Sequence, residues 1–385
     1  MAENKDKKVL NVPNLRFSEF EGEWEEHYLS DYLDFKNGLN PKPERFGKGI
    51  KFISVMDILN NAVITNDCIR ASVDVSEEEL LSFCVENGDI LFQRSSETLE
   101  DVGRANVYMD NKPAVFGGFV IRGKKKAEYD PLCFRYLLAS PFARKKIIPM
   151  GAGAQHFNIG QEGLNKVKLH FALLDEQKKI ARLLSLLDER IATQNKIIED
   201  LQSLIKGIRA RLTQQVGGDF VYLSEIAQIY QPQTISLSEF TKEGYLVYGA
   251  NGVIGKYREY NHQTEQICIT CRGNTCGVVN YTQPKSWITG NAMVINTDDF
   301  KEKVFKRYLY HYLSAYNFNR IISGSGQPQI VRSPLEKLRI ALPTMQQQKN
   351  IATFLDKLQN QIEINNNILH LYLQQKQYLF RQMFI

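Results

Sequence analysis

Apolar residues recur along two stretches of the chain at alternating spacings of four and three. Positions 180, 184, 187, 191, 194, 198, 201, 205, 208 and 212 hold Ile, Leu, Leu, Ile, Gln, Ile, Leu, Ile, Ile and Leu. The matching positions from 351 to 383 hold Ile, Leu, Leu, Ile, Asn, Leu, Tyr, Lys, Leu and Met. A 3.5-residue repeat sustained over about four heptads predicts a coiled-coil seam. A helix lying on a globular core shows a wider apolar stripe and fewer turns. Roughly 35 residues at about 1.5 Å each make a rod of about 50 Å. That exceeds one turn of B-DNA, about 34–36 Å. Elsewhere the apolar runs are short and β-like: KFISVMDI, GDILFQ and AVFGGFVIRG, then YLVYGA, QICITC and AMVIN.

The two helical patterns are copies. Residues 176–199 and 347–370 align with a shift of 171, so that Ile180 matches Ile351 and Leu184 matches Leu355. Such a repeat governs the whole fold. The mixed segments repeat more loosely. Leu29-Ser30-Asp31 matches Leu223-Ser224-Glu225, and Arg135-Tyr136-Leu137 matches Arg307-Tyr308-Leu309 on a late amphipathic helix. Each late helix runs to Ile-Ile and a Gly-rich loop, Gly151–Ile159 or Gly324–Ile330, of which the first reads as the longer. The runs Gly163–Leu169 and Pro334–Ile340 follow.

The expected fold class is therefore α+β. Two similar mixed α/β domains are each followed by a long helix, and the helices pair as an antiparallel coiled coil with pseudo-twofold symmetry. The divisions are a flexible tail (1–12), a first domain (13–172), a first spacer helix (173–216), a second domain (217–342) and a second spacer helix (343–385). Gln194 and Asn365 are polar seam positions at equivalent places. A polar seam residue costs stability and fixes register, and antiparallel pairing puts these two in the same or adjacent layers.

Composition narrows the picture modestly. A chain of 385 residues suggests two or three domains. Its net charge of +5 permits a polyanionic partner without demanding one. The N-terminus lacks the apolar stretch of a signal peptide, and no run approaches the roughly 18 apolar residues of a membrane span; the expected location is cytoplasmic. Cys268, Cys271 and Cys276 suggest half of a metal site, but no second pair completes four ligands, and reduced thiols are the expectation.

With repeat and seam in view, the opening Pro13-Asn-Leu15-Arg16-Phe17-Ser-Glu-Phe20-Glu-Gly22-Glu-Trp24-Glu gains meaning. Together with Glu176–Leu184, Gln347–Leu355 and the Gly-Ser-x-Gln-x-x-Ile-like loops, it resembles the specificity subunit of type I restriction-modification enzymes. The first loop departs in having Ala152 where serine is usual. The resemblance implies that each mixed segment is a target recognition domain reading one half of a bipartite, asymmetric sequence in double-stranded DNA. It implies that the coiled coil sets the spacer. Two modification subunits would carry the methyltransferase chemistry and two restriction subunits the translocation and cleavage. S-adenosylmethionine, ATP and Mg would then sit on those partners, with no cofactor in this chain.

The residues themselves offer no catalytic constellation. The nearest string to a methyltransferase Asn/Asp-Pro-Pro-Tyr/Phe loop is Asn40-Pro41-Lys42-Pro43. No phosphate-binding Gly-x-x-x-x-Gly-Lys-Ser/Thr loop occurs, and the six histidines form no metal-type pair. DNA readout needs bidentate Arg, Lys, Asn or Gln at base edges and cations, hydroxyls and backbone N–H groups at phosphates. Loops of that kind hold Lys36 and Asn37; Gln93, Arg94, Ser95 and Ser96; and Gln155, His156 and Asn158. In the second half they hold Tyr248 and Asn251; Arg272, Asn274 and Thr275; and Gln327, Gln329 and Arg332. QRSS and CRGNT each place an arginine just beyond a buried strand. Plainer readings compete: Asn251-Gly252 is an ordinary hairpin signal. Two other functions compete as well, a duplicated protein–protein scaffold without DNA binding and a fused enzyme. Steep salt dependence of binding separates DNA recognition from the scaffold.

Overall fold

The computed structural model describes residues 10–215, 217–250, 252–324 and 326–385, with backbone alone for 212–215. Most of the expected tail, residues 1–9, lies outside the described residues. Two long helices, Leu174–Gln215 and Met345–Gln382, stand among short strands and short helices. The chain divides into two compact units. One runs to Thr193 and takes in Leu369–Ile385; the other is Gln194–Ile368. Each unit thus contains part of both long helices.

The first unit carries a four-stranded antiparallel sheet in the order Leu33–Asn37, Val120–Lys125, Ile90–Gln93, Ala105–Val107. Ile90–Gln93 is buried along its length. A second sheet has Phe46–Ile53 at its centre, antiparallel to Ser72–Val73 and parallel to Ala114–Phe116. A third pairs Glu25–Tyr28 with Lys168–Phe171. The late helical run is broken in two, Pro131–Ala139 and Pro141–Ile147. Pro141 is the reason, because proline cannot donate within a helix interior but suits a first turn. Ser140 caps the second piece, accepting from Ala143 N at 3.2 Å.

The second unit repeats these three sheets. Its four-stranded sheet runs Gln228–Tyr230, Ala292–Asn296, Ile267–Thr270, Val279–Tyr281. Its three-stranded sheet centres on Tyr245–Gly249, antiparallel to Gly252–Tyr257 and parallel to Trp287–Ile288. Asp219–Tyr222 pairs with Arg339–Leu342, and the late helix is Lys306–Ala315.

Within each unit the domain is bound to the long helices by apolar packing and a few buried polar groups. Ile180, Ala181, Leu184, Leu187, Leu379 and Met383 join the first core. Arg16 donates through Nε and Nη2 to both carboxylate oxygens of fully buried Glu176, each at 2.8 Å, and Trp24 Nε1 reaches the same group at 3.3 Å. The entry segment is thereby tied to the start of the first long helix. In the second core Ala352 fills the place that Ala181 has in the first.

The apolar seam meets the packing. Seam positions from Ile180 to Ile208 and from Ile351 to Met383 are buried or half-buried, whereas Leu186, Leu204, Phe354 and Leu371, off the seam, are exposed. Leu212 falls among the side chains outside the described set. The pairing is antiparallel. In the second unit Gln194 Nε2 donates to the Asn365 carbonyl oxygen at 3.1 Å and to its Oδ1, while Ile205 and Gln202 share a pocket with Ile362 and Gln359. In the first, Asp188 pairs with Lys376.

Candidate nucleic-acid interface

The strand Ile90–Gln93 runs out into a junction held by main-chain bonds. Gly103 N donates to Gln93 O at 2.9 Å, and Gln93 N donates to Arg104 O at 2.7 Å. One residue on, Arg94 N donates to Phe119 O and Ile159 N donates to Arg94 O, both at 2.9 Å. Arg94 Nη1 also reaches the Gly118 carbonyl at 3.2 Å. Ser95 and Ser96 then pair with Asn158 and Phe157. Three separate loops of the first unit, at 94–96, 117–119 and 152–158, thus meet at one strand end.

The second unit builds the same junction from different residues. Gly277 N donates to Thr270 O at 2.9 Å, Cys271 N to Asn291 O at 3.1 Å, and Ile330 N to Cys271 O at 3.0 Å. Gln231 Nε2 holds the Gly290 carbonyl, as Arg94 holds that of Gly118. Arg272 bridges Gln329. The main-chain pattern makes Gln93 equivalent to Thr270, Arg94 to Cys271, Ser95 to Arg272, Phe119 to Asn291 and Ile159 to Ile330.

Two sequence expectations are corrected by this match. The arginines of QRSS and CRGNT are not equivalent; they are one residue out of step. Successive strand residues point to opposite faces, so Arg94 occupies the inward place of buried Cys271, whereas Arg272 is exposed. The Gly-rich loops are also equal in length. Ala152 and Asn158 exchange two bonds of 2.9 Å, and Ser323 and Gln329 exchange bonds of 2.9 and 2.8 Å, each pair six residues apart. Gly153 and Gly324 sit at the same point with φ of 149° and 93°. A Cβ there would collide with the carbonyl oxygen of His156 or Gln327, so the tight reversal requires glycine at both.

The remaining candidates divide by exposure. Asn37, Gln155, His156 and Asn158 are exposed in the first unit, and Ser95 and Ser96 half-buried. Arg272, Asn274, Gln327 and Gln329 are exposed in the second. Arg332 is exposed and bonded to Glu336 at 2.7 Å. Thr275 Oγ1 donates to Ala250 O at 3.3 Å, bringing the 272–275 loop against the end of the strand Tyr245–Gly249. Gln93 and Tyr248 are buried, 5% and 7% exposed, and belong to the frame rather than to a contact face. Lys36 donates to the Ser82 carbonyl at 2.9 Å and lies over the Phe83 ring. Asn251 lies outside the described residues.

Phe119 is the residue that the sequence patterns conceal. It stands within AVFGGFVIRG, which reads as a continuous strand, yet its side chain is 68% exposed. The signal lies in Gly117-Gly118, which breaks the strand before it. A Cβ on Gly118 would strike Asn40 Oδ1, and one on Gly290 would strike Thr234 Oγ1, so each glycine allows a polar side chain to pack on the turn. Behind the first junction Arg144 donates to the carbonyls of Gly103, Glu100 and Val102 at 3.0, 2.9 and 2.6 Å. Burial, reinforced by nearby Arg104, pushes its guanidinium pKa down to about 10, still charged at neutral pH. It braces the loop.

Among the described residues no group of three or more His, Cys, Asp or Glu is placed to hold a metal ion. Cys268 and Cys271 belong to different core clusters. No described helix is long and apolar enough to cross a membrane.

Comparison with known proteins places this frame. A family described as "Type I restriction modification DNA specificity domain" matches residues 21–203 and again 216–371. A putative type I restriction enzyme MjaX specificity subunit of Methanocaldococcus jannaschii is 26% identical over 399 residues, 93% of this chain and 92% of that one. The type I restriction enzyme EcoprrI specificity subunit of Escherichia coli is 30% identical over 148 residues, 37% of this chain and 36% of its own. In structure, the S subunit of a type I restriction-modification system from M. genitalium matches 97% of this chain and 99% of itself, with TM-score 0.65 and 16% identity. A chain from a type I R-M system studied for complex assembly and conformational transition matches with TM-score 0.58 and 14% identity, over 93% of this chain and 96% of its own.

Proposed function

The chain belongs to the family of type I restriction-modification specificity subunits, non-catalytic components of their complexes, and from that premise we propose how it divides its work. Each unit reads one half of a bipartite, asymmetric sequence in double-stranded DNA. The two long helices act as the ruler between the half-sites. Two modification subunits dock on the chain and bring S-adenosylmethionine; two restriction subunits join them and bring ATP and Mg.

One observation carries this reading. The two units share sheet order, junction bonds and the glycine reversal, while the side chains at the junction differ: half-buried Ser95 against exposed Arg272, and, exposed in both units, Phe119 against Asn291 and Asn158 against Gln329. A shared frame with divergent exposed groups suits two readers of two different half-sites. A scaffold that gripped two copies of one protein partner would need matching faces instead.

Arg272 tests the assignment. It is an exposed guanidinium at a rigid strand end, the chemistry that pairs with guanine O6 and N7. Arg272→Ala in the assembled complex should relax one base position in one half-site, read by mapping methylated positions across a genome. Equal weakening of both half-sites would refute the division into independent readers.

A further inference from the structure

One further pair of equivalent positions at the junction aims its side chains outward from a fully specified backbone. In the first unit this is Phe119. Its carbonyl accepts from Arg94 N at 2.9 Å, the preceding Gly118 carbonyl is held by Arg94 Nη1 at 3.2 Å, and the following Val120 opens a buried strand paired to Gln93. In the second unit the same place is Asn291. Its carbonyl accepts from Cys271 N at 3.1 Å, Gly290 is held by Gln231, and Ala292 is paired to Thr270. The backbone is locked alike and only the side chain changes.

Neither side chain is engaged by a ring contact or a side-chain hydrogen bond among the described residues. Phe119 is 68% exposed and makes no ring–ring or cation–π contact among the described residues. Asn291 is exposed, and its carboxamide forms no hydrogen bond among the described residues. An apolar ring and a bidentate amide on one rigid mount match two different base edges: a thymine C5-methyl for the first, adenine N6 and N7 for the second.

We propose that positions 119 and 291 are the equivalent specificity-determining positions of the two readers, with Phe119 packing on a thymine methyl and Asn291 pairing with adenine. This rests on the reading of the chain as a DNA-recognition subunit. Exposed loop residues usually tolerate substitution, so both can be changed with little effect on folding, which thermal unfolding of each variant checks.

The test uses the chain assembled with its modification subunits and a duplex library randomised over both half-sites, with the bound fraction sequenced. Phe119→Ala should reduce discrimination for T at one position of one half-site about tenfold or more, leaving the other half-site unchanged. Asn291→Ala should do the same for A in the other half-site. Phe119→Leu, which keeps an apolar surface, should retain discrimination within about threefold. Uniform loss of binding across the library, or no change in preference at any position, would overturn the proposal. So would a leucine variant as indiscriminate as the alanine one. A parent complex that binds duplexes without sequence preference would instead sink the DNA-reading function itself.

Discussion

Single buried amides hold each domain to its long helix, and they do so twice in the same way. Gln177 Nε2 donates to Ala172 O at 2.8 Å while its Oε1 accepts from Asp130 N at 3.0 Å. Gln348 Nε2 donates to Pro343 O at 2.9 Å while its Oε1 accepts from Phe305 N at 2.8 Å. Asp130 and Phe305 are the capping residues of the two late helices. Each glutamine therefore satisfies a half-buried helix-start N–H, which is costly to leave without a partner. Gln177→Ala and Gln348→Ala should each lower unfolding free energy by about 1–3 kcal/mol, measured by urea denaturation. Gln347→Ala, one residue earlier and exposed, should cost less than half as much; equal losses would discount the buried bridges. The sequence displays both glutamines in the aligned EQKKIA and QQKNIA, but nothing in their type says that they face inward. The same blindness aligned Arg94 with Arg272. Type and neighbourhood agreed, and only the main-chain bonds revealed the one-residue slip that reverses the face.

At the scale of elements, legibility followed period and length. The long helices were readable because a 3.5-residue repeat over many turns has few imitators; the observed limits Leu174–Gln215 and Met345–Gln382 sit within the segments drawn from it. The strands were readable only as runs. Several have two or three residues, too few to show alternation, and the parallel pairing of Ala114–Phe116 with Phe46–Ile53 joins segments far apart in the chain. AVFGGFVIRG is two strands belonging to two sheets, divided at the glycines that expose Phe119. The seam also supports a prediction. Gln194 and Asn365 meet by a direct side-chain hydrogen bond between equivalent positions of the repeat, as antiparallel pairing requires. We expect the pair to pin the register at a cost in stability. Replacing both with leucine should raise Tm and let cysteine crosslinks between the helices spread to neighbouring positions. A lowered Tm with an unchanged crosslink pattern would argue that the polar pair is simply a stabilising contact.

For the whole molecule, duplication fixes the architecture but not the chemistry buried in each copy, and acid should tell the copies apart. The second unit encloses two neutral histidines. His262 lies between Tyr230 O–H, which donates to Nε2 at 2.8 Å, and Asn261 Oδ1, which accepts from Nδ1 at 2.6 Å. His311 accepts from Arg209 at Nδ1 at 3.0 Å and donates from Nε2 to Asp356 at 2.8 Å. Burial pushes both down to about 4, outweighing Asp356 beside His311, whose attraction Arg209 and Arg307 offset. The unfolded chain takes up these protons near pH 6.5, and the folded unit refuses them until about pH 4. Stability contributed by the neutral forms is therefore full above pH 6.5 and declines as pH falls through this window, by about 1–3 kcal/mol per histidine. The first unit has a buried group of the opposite sense. Burial raises the Asp89 carboxyl pKa, so acidification relieves a cost there. Each unit contains one of the two tryptophans, Trp24 or Trp287, and 5-fluorotryptophan labelling gives each its own ¹⁹F resonance without mutation. Between pH 6.5 and 4.5 in a fixed moderate concentration of urea, the Trp287 resonance should move to its unfolded position first. His311→Asn should narrow the gap between the two transitions. Loss of the Trp24 signal first, or of both together, would mean that the buried histidines do not set the acid limit of the second unit.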